Sequence, residues 1–297
     1  MKLDKFLERT GEKKRIAVVA AADKEVLLGL DEAMKRDLVE PMLIGDREEI
    51  LIISRENQLM TAKCDIIHQP SIDGCAKTAV ALARGNEVHA LMKGNIHTSI
   101  LMHAILNKEN GIRENEILNS VNVVDSSNLD RLLFVSDPGI VPYPDMKQKV
   151  GIINNAVKVA RALGVERPKV AVICAVESVN PIMPPTMEAA ALALMSQRGQ
   201  FKDCDVDGPL ALDNAISVEA VNAKKVMTRS PVAGHADILL VPNVETGNAI
   251  MKTARFLGNC KTAGILAGAS VPVIMTSRAD SAMGKLYSIG MALAASQ

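Results

Sequence analysis

Near the C-terminus the chain reads PVIMTSRADSAMGKLYSIGMAL over residues 272–293: an apolar strand pattern, a polar break, then a helical pattern. The break holds Ser277, Arg278, Asp280 and Ser281. Arginine presents a planar fork of donors that matches phosphate or carboxylate oxygens, and Ser277 adds a hydroxyl beside it. Asp280 is close enough in sequence to orient that fork or to handle a proton. Together they suit an anion held near a polarised carbonyl. The plainer alternative is a helix cap, with Ser277 or Asp280 accepting from the N–H groups that open the next helix. A cap accounts for one polar residue, not four.

A second cluster is LMKGNIHTSI (91–100), where an apolar run gives way to Lys93, Gly94, Asn95, His97, Thr98 and Ser99. N–H groups at a helix start favour an anion, and Gly94 would let the chain approach a ligand closely. Here too Thr98 or Ser99 would serve as an N-cap without any ligand. FVSDPGIVPYPD (134–145) and PNVETGNAIMK (242–252) place Ser136, Asp137, Glu245, Thr246, Gly247 and Asn248 at two further strand ends. A Pro–Gly turn and a helix cap explain those two without a ligand.

Several familiar cradles are missing. No G-x-G-x-x-G follows the first strand and no Walker sequence occurs, so neither standard nucleotide loop is present. No G-x-S-x-G elbow supports a hydrolase. DCDVDG (203–208) begins like a calcium loop, but the position that needs a bidentate Glu is Asn214, and the segment reads as an acidic surface turn. His97 and His103 have no third ligand in reach of the pattern, so no metal site is expected.

The elements that must position these residues alternate. Strands are expected at 15–21, 64–69, 89–94, 131–137, 169–175, 237–242 and 271–276. Helices are expected at 24–36, 74–84, 98–107, 147–163, 186–197, 246–257 and 283–295. Strand then helix, repeated, is the pattern of a largely parallel α/β sheet. Asp145 and Gln148 have capping-box spacing, and Gly164 closes the same helix. Ligands of such sheets gather where strands end, which is where all four clusters lie.

The 297 residues suffice for one large domain or two smaller ones. With 34 basic residues balancing 34 acidic ones and no Trp, neither nucleic acid nor membrane is expected as a partner. The N-terminus scatters charges ahead of a short apolar run, which is no secretory layout. Five scattered cysteines without a C-x-x-C pair read as free thiols. A cytoplasmic protein is therefore expected. Met92, Met275 and Met283 are core residues on this reading, or walls of an apolar pocket.

Taken together, KGNIHTS, LLFVSDPGI, DGPLALDNAIS, SPVAGHADILLVPNVETGNAIMK and PVIMTSRADS resemble the phosphate acetyltransferase/phosphate butyryltransferase family, in order and spacing, over most of the chain beyond about residue 85. DPGI and ESVNPIMPPTMEA look more like the butyryl branch. The resemblance implies reversible transfer of a short acyl group between coenzyme A and inorganic phosphate, giving acyl phosphate. CoA is then a substrate, and no cofactor is bound permanently. It also implies an isocitrate/isopropylmalate dehydrogenase-like α/β fold, with largely parallel sheets, an interdomain cleft and a homodimer or higher homo-oligomer. The N-terminal domain would comprise 1–115 plus 267–297, around an inserted middle domain of 116–266.

On this resemblance Arg278 binds phosphate or acyl-phosphate oxygens and Ser277 the reacting acyl or sulfur end. Thr98 and Ser99 complete the anion site, with Lys93, Gly94, Asn95, His97, His103 and Ser281 around it. Two positions depart from the acetyl-branch pattern. An aspartate proposed there to deprotonate the CoA thiol falls at Gly284 here, leaving Asp280 as the nearest base. An arginine falls at His103, a weaker phosphate contact. Alternatives are an acetyl-CoA-specific enzyme, a non-catalytic acyl-CoA-binding or regulatory relative, and a metal- and NAD-dependent decarboxylating dehydrogenase, for which no convincing ligand set is found.

Overall fold

The computed structural model describes residues 2–8, 13–224, 230–276 and 280–296. Their contacts divide into two compact units, one of Lys2–Leu118 with the segment from Thr262 onward, the other of Asn119–Lys261.

The first unit opens with β1 (Lys14–Val19), α1 (Lys24–Lys35), β2 (Val39–Gly45), α2 (Arg47–Glu56), β3 (Asp65–His68), α3 (Ile72–Arg84), β4 (Ala90–Lys93) and α4 (Thr98–Ile105). Asp23, Asp46 and Ser71 start α1, α2 and α3 by accepting from first-turn N–H groups. Ile16, Val18, Leu43, Ile44, Leu91 and Met92 are fully buried. Met92 is thus core rather than pocket wall.

The middle unit follows with β5 (Asn119–Asp125), β6 (Leu133–Ser136), α5 (Met146–Ala162), β7 (Lys169–Ile173), α6 (Pro184–Gln197), β8 (Asp205–Leu210), α7 (Leu212–Ile216), α8 (Val218–Lys224), β9 (Ile238–Leu240) and α9 (Val244–Phe256). The chain closes with β10 (Lys261–Ala267), β11 (Val273–Ile274) and α10 (Ala282–Ala295). The capping box on α5 forms as its spacing predicts, Asp145 and Gln148 each serving the other's backbone N–H, and Gly164 beyond its end takes a positive φ of 95°.

Within the first unit the strand order is β3-β2-β1-β4-β11-β10, parallel except for the antiparallel β10–β11 pair. Within the middle unit it is β5-β6-β9-β7-β8, parallel except for β5–β6. Both orders reverse direction once. From β1 the chain steps outward through β2 and β3, then returns to lay β4 on the other side of β1. From β7 it steps to β8, then lays β9 on the other side of β7. Such switch points leave a crevice beyond the carboxyl ends of the two strands.

Every strand expected from the sequence is present, though shorter, and β2, β5, β8 and β10 add to them. The acidic segment 203–208 is corrected. Asp205–Leu210 is strand β8, hydrogen-bonded in parallel to β7, and only Asp203 takes a turn conformation, at φ 60°. Two of its three acidic residues are used by cations beside them, Arg161 on Asp203 and Arg167 on Asp205, each at 2.7 Å.

Candidate functional site

β4 and β11 are neighbours in the first unit, with Val273 beside Leu91 and Ile274 beside Met92 in parallel register. Parallel strands deliver their succeeding segments to the same sheet edge. Lys93–Ser99 and the segment after Ile274 therefore leave side by side, next to the β1/β4 switch point. Ser277 and Arg278 lie outside the described residues; Asp280 and Ser281, which come after them, are described.

Gly94 has a different task from the one its type suggests. Its N–H donates to the Val19 carbonyl at 2.9 Å, and the Asn95 N–H to the Ala20 carbonyl at 2.8 Å. A Cβ on residue 94 would stand 2.3 Å from the Ala20 oxygen and 2.7 Å from that of Val19. The glycine thus lets the β4 exit press onto the end of β1, and it is backbone rather than ligand that comes close. Lys93 lies half-buried, its ammonium 3.4 Å from the Gly94 carbonyl.

The N-cap of α4 is His97, not Thr98 or Ser99, and its side chain makes no capping bond. Thr98 and Ser99 sit in the first turn, and Asn95, His97, Thr98 and Ser99 are exposed. A first turn without a side-chain cap offers its N–H groups, and the positive end of the helix dipole, to an outside acceptor. His103 is exposed as well, and at i,i+4 from Ser99 it shares that residue's face of the helix.

At the other exit the cap of α10 is Ser281, whose hydroxyl oxygen accepts from the Gly284 N–H at 3.2 Å. This corrects the assignment of that cap to Ser277 or Asp280. Ser281 is therefore engaged in holding the helix. The Asp280 carbonyl accepts from the buried Lys285 ammonium at 2.6 Å. A Cβ added at Gly284 would meet only Ser281 Oγ at 3.7 Å and Asp280 Cβ at 3.8 Å, so a side chain there has room and would share space with Asp280. Met283 is exposed and forms no core contact layer.

In the middle unit the two remaining clusters meet each other. Asp137, buried, accepts from Gly139 and Ile140 through one carboxylate oxygen and from Val141 through the other, at 2.8–3.0 Å. Burial pushes its carboxyl above the usual range, against the pull of those N–H groups. Gly247 lies so near that a Cβ would stand 2.8 Å from Pro138 Cα. Asn243 caps α9, accepting from the Thr246 N–H and hydroxyl at 2.9 and 2.7 Å. Both clusters are accounted for as packing and caps.

Two features escaped the sequence reading. One is a cluster in which Asn214 donates to Glu177, while the Lys224 ammonium bonds Glu177 at 2.8 Å and Asp213 at 3.0 Å. The other is a cavity of about 300 Å³ at the β7/β9 switch point, walled by Ile173, Cys174, Ala175, Met183, Pro185 and Pro242. Its signal lay in ESVNPIMPPTMEA, where Met183 is the N-cap of α6 and Pro184 and Pro185 open the helix. Among the described residues no group of three His, Cys, Asp or Glu could hold a metal ion, and no helix is long and apolar enough to cross a membrane.

Comparison with known proteins bears on the same residues. The family model described as phosphate acetyl/butaryl transferase matches residues 72–293. A phosphate butyryltransferase of Clostridium acetobutylicum is 44% identical over 284 residues, covering 96% of this chain and 94% of that protein. A phosphate acetyltransferase of Thermotoga maritima is 44% identical over 292 residues, covering 98% of each. Among solved structures, a branched-chain phosphotransacylase from Enterococcus faecalis superposes with a TM-score of 0.84 at 29% identity, over 95% of this chain and 98% of that one.

Proposed function

Because the chain belongs to the phosphate acetyl/butyryltransferase family, we propose that it is a phosphate acyltransferase moving a short acyl group, butyryl by preference, reversibly between coenzyme A and inorganic phosphate. A phosphate oxygen attacks the thioester carbonyl, the carbon–sulfur bond breaks, and acyl phosphate and CoA leave. The reaction brings an anionic nucleophile to a carbonyl whose oxygen gains charge, so fixed donors are needed for both.

The observation that supports the reading is the parallel register of β4 and β11, two strands whose succeeding segments leave from one sheet edge. Arg278 takes the phosphate oxygens, and the uncapped N–H groups at Thr98 and Ser99 take others, with Lys93, Asn95, His97 and His103 adding positive or donor character nearby. Ser277 hydrogen-bonds the reacting acyl or sulfur end. Asp280 accepts the thiol proton in the direction that consumes CoA. Ser281 acts through the cap that sets the start of α10, and Gly94 through its packing on β1. The two units are read as the two domains of an isocitrate/isopropylmalate dehydrogenase-like fold, a reading their mostly parallel sheets support. Exposed Ile182, Phe256 and Leu257 of the middle unit support self-association, and a cytoplasmic, permanently cofactor-free homo-oligomer completes the proposal.

The test is thiol release from butyryl-CoA and acetyl-CoA, with and without phosphate. Phosphate-dependent release establishes the transferase, and the ratio of the two rates gives the chain preference. Release from neither, or release indifferent to phosphate, rejects the reading.

A further inference from the structure

Lys285 is a buried charge to which the proposed chemistry gives no part. It stands in the first turn of α10, and its ammonium reaches back past the helix start to the Asp280 carbonyl at 2.6 Å, the direction in which helical side chains lean. Gly29 of α1 makes room for its stem. A Cβ on residue 29 would stand 3.0 Å from Lys285 Cβ and 3.7 Å from its Cδ. Burying an ammonium costs desolvation whatever it meets, and a cation in the first turn faces the positive end of the helix dipole. An apolar side chain of the same length would fill the slot without either cost. The sequence thus breaks a local rule five residues after Asp280, and such breaks gather at functional sites.

The body of α10 is anchored by other groups. Ser288 accepts from the Gly264 N–H of β10 at 3.1 Å, the Tyr287 hydroxyl donates to Asp4 at 2.7 Å, and Leu286, Ile289 and Met291 are buried. What the ammonium adds is a tie between the helix and the chain ahead of its cap. Five residues, Ser277 and Arg278 among them, separate Asp280 from Ile274, and Ile274 is held in β11 between β4 and β10. The segment therefore runs from one fixed point to the other. We propose that Lys285 is a positioning residue for acyl transfer: by holding the Asp280 carbonyl it fixes the far end of the segment that carries Ser277 and Arg278, and so brings the guanidinium to phosphate in place. The proposal rests on the phosphate acyltransferase reading and on the part given there to Arg278.

Lys285→Met, which keeps the stem and removes the ammonium, tests it beside Lys285→Arg, which keeps a charged donor. Phosphate-dependent thiol release from butyryl-CoA gives kcat and the KM of each substrate, and urea unfolding gives the stability. Lys285→Met should lower kcat/KM for phosphate about ten- to a hundredfold, the scale of a small misplacement of a reacting group, with the butyryl-CoA KM and the urea midpoint unchanged. Lys285→Arg should recover most of the loss. A wild-type kcat/KM in Lys285→Met, or a fall in kcat alone that tracks a lowered midpoint, overturns the proposal. If Lys285→Met does not fold, Lys285→Gln, neutral and shorter, is read in its place. Tryptic cleavage after Arg278 separates this from failure of the acyltransferase reading. Should the wild-type protein release no thiol, cleavage there about tenfold faster in Lys285→Met, the scale of one hydrogen bond to a charged group, still upholds the tie to the segment. Cleavage at the wild-type rate rejects it.

Discussion

Ile274, the last residue of β11, lies in parallel register beside Met92 of β4. The strand leading into Ser277 and Arg278 and the strand leading into Thr98 and Ser99 are therefore one sheet spacing apart, about 4.8 Å, and end together. Two strands about 180 residues apart in the sequence become neighbours through that pair. Arg278→Ala is expected to lower kcat at least about a hundredfold, as loss of a donor to transition-state charge does, with an unchanged urea midpoint. Near-normal turnover by this variant in the thiol-release assay would remove the central assignment.

Gly94→Ala should damage the fold before it damages chemistry. The new methyl would stand 2.3 Å from a backbone oxygen of Ala20, and backbone cannot rotate aside as a side chain can. A destabilisation of about 1–3 kcal/mol is expected, read from urea unfolding, together with reduced turnover because the β4 exit is displaced. A wild-type urea midpoint would show that the contact is readily relaxed.

A carboxylate at position 284 would share space with that of Asp280, the base proposed above. Asp280→Asn is expected to weaken the acidic limb of the pH–rate profile in the direction that consumes CoA. Adding Gly284→Asp to it should restore that limb, since a Cβ at 284 lies 3.8 Å from Asp280 Cβ and has room. By itself Gly284→Asp should stabilise the protein by roughly 0.5–1 kcal/mol, replacing a glycine in the first turn of α10 by an acid favoured there. A pH profile identical in all three proteins would assign the proton to solvent or to phosphate.

Asp137→Ala removes the acceptor of three N–H groups in the turn after β6. Gly139 is exposed and can turn to water, so the expected cost is about 1–3 kcal/mol rather than three times that. Asp137→Asn, which keeps one acceptor oxygen, should cost less. Chemical denaturation of both variants checks the order; the reverse order would mean that the buried charge, not the turn, dominates.

Burial pushes the thiols of Cys64, Cys174 and Cys204 up to about 11. At pH 8 only about a thousandth of each is thiolate, the reactive form, so these three should add little background to a thiol-reagent assay of the native protein. Denaturant should release all five cysteines promptly. The folded protein holds these protons more tightly than the unfolded chain, so the stability they contribute is complete below about pH 8.5 and is lost as pH rises toward 11. The urea midpoint should fall between pH 8 and 10.5; a flat midpoint would mean that the thiols are more open to solvent than their surroundings imply.

The alternating pattern was legible because it is local. β-branched runs such as Ile16–Val19 and helical spacing such as that of α5 declare themselves within a dozen residues, and the Asp145–Gln148 capping box is complete within four. Caps were less legible. Ser277, Asp280 and Ser281 are all competent N-caps by type, and which one is used depends on where the first helical turn begins. β8 was misread because Asp203, Asp205 and Asp207 look like a solvated turn, whereas Arg161 and Arg167 from other elements take up two of the charges.

The sequence by itself determined the α/β class, the four polar clusters at strand ends, and a family resemblance carried by their order. Each of these is written in residue types and short spacings. Tertiary structure alone decided that β11 lies against β4 rather than elsewhere, that Gly94 serves the end of β1, and that Ile173, Met183 and Pro242 enclose one cavity. Strand order and cavity walls are made by residues far apart along the chain, and no local periodicity encodes which of several apolar strands will pair or which side chains will face a common space.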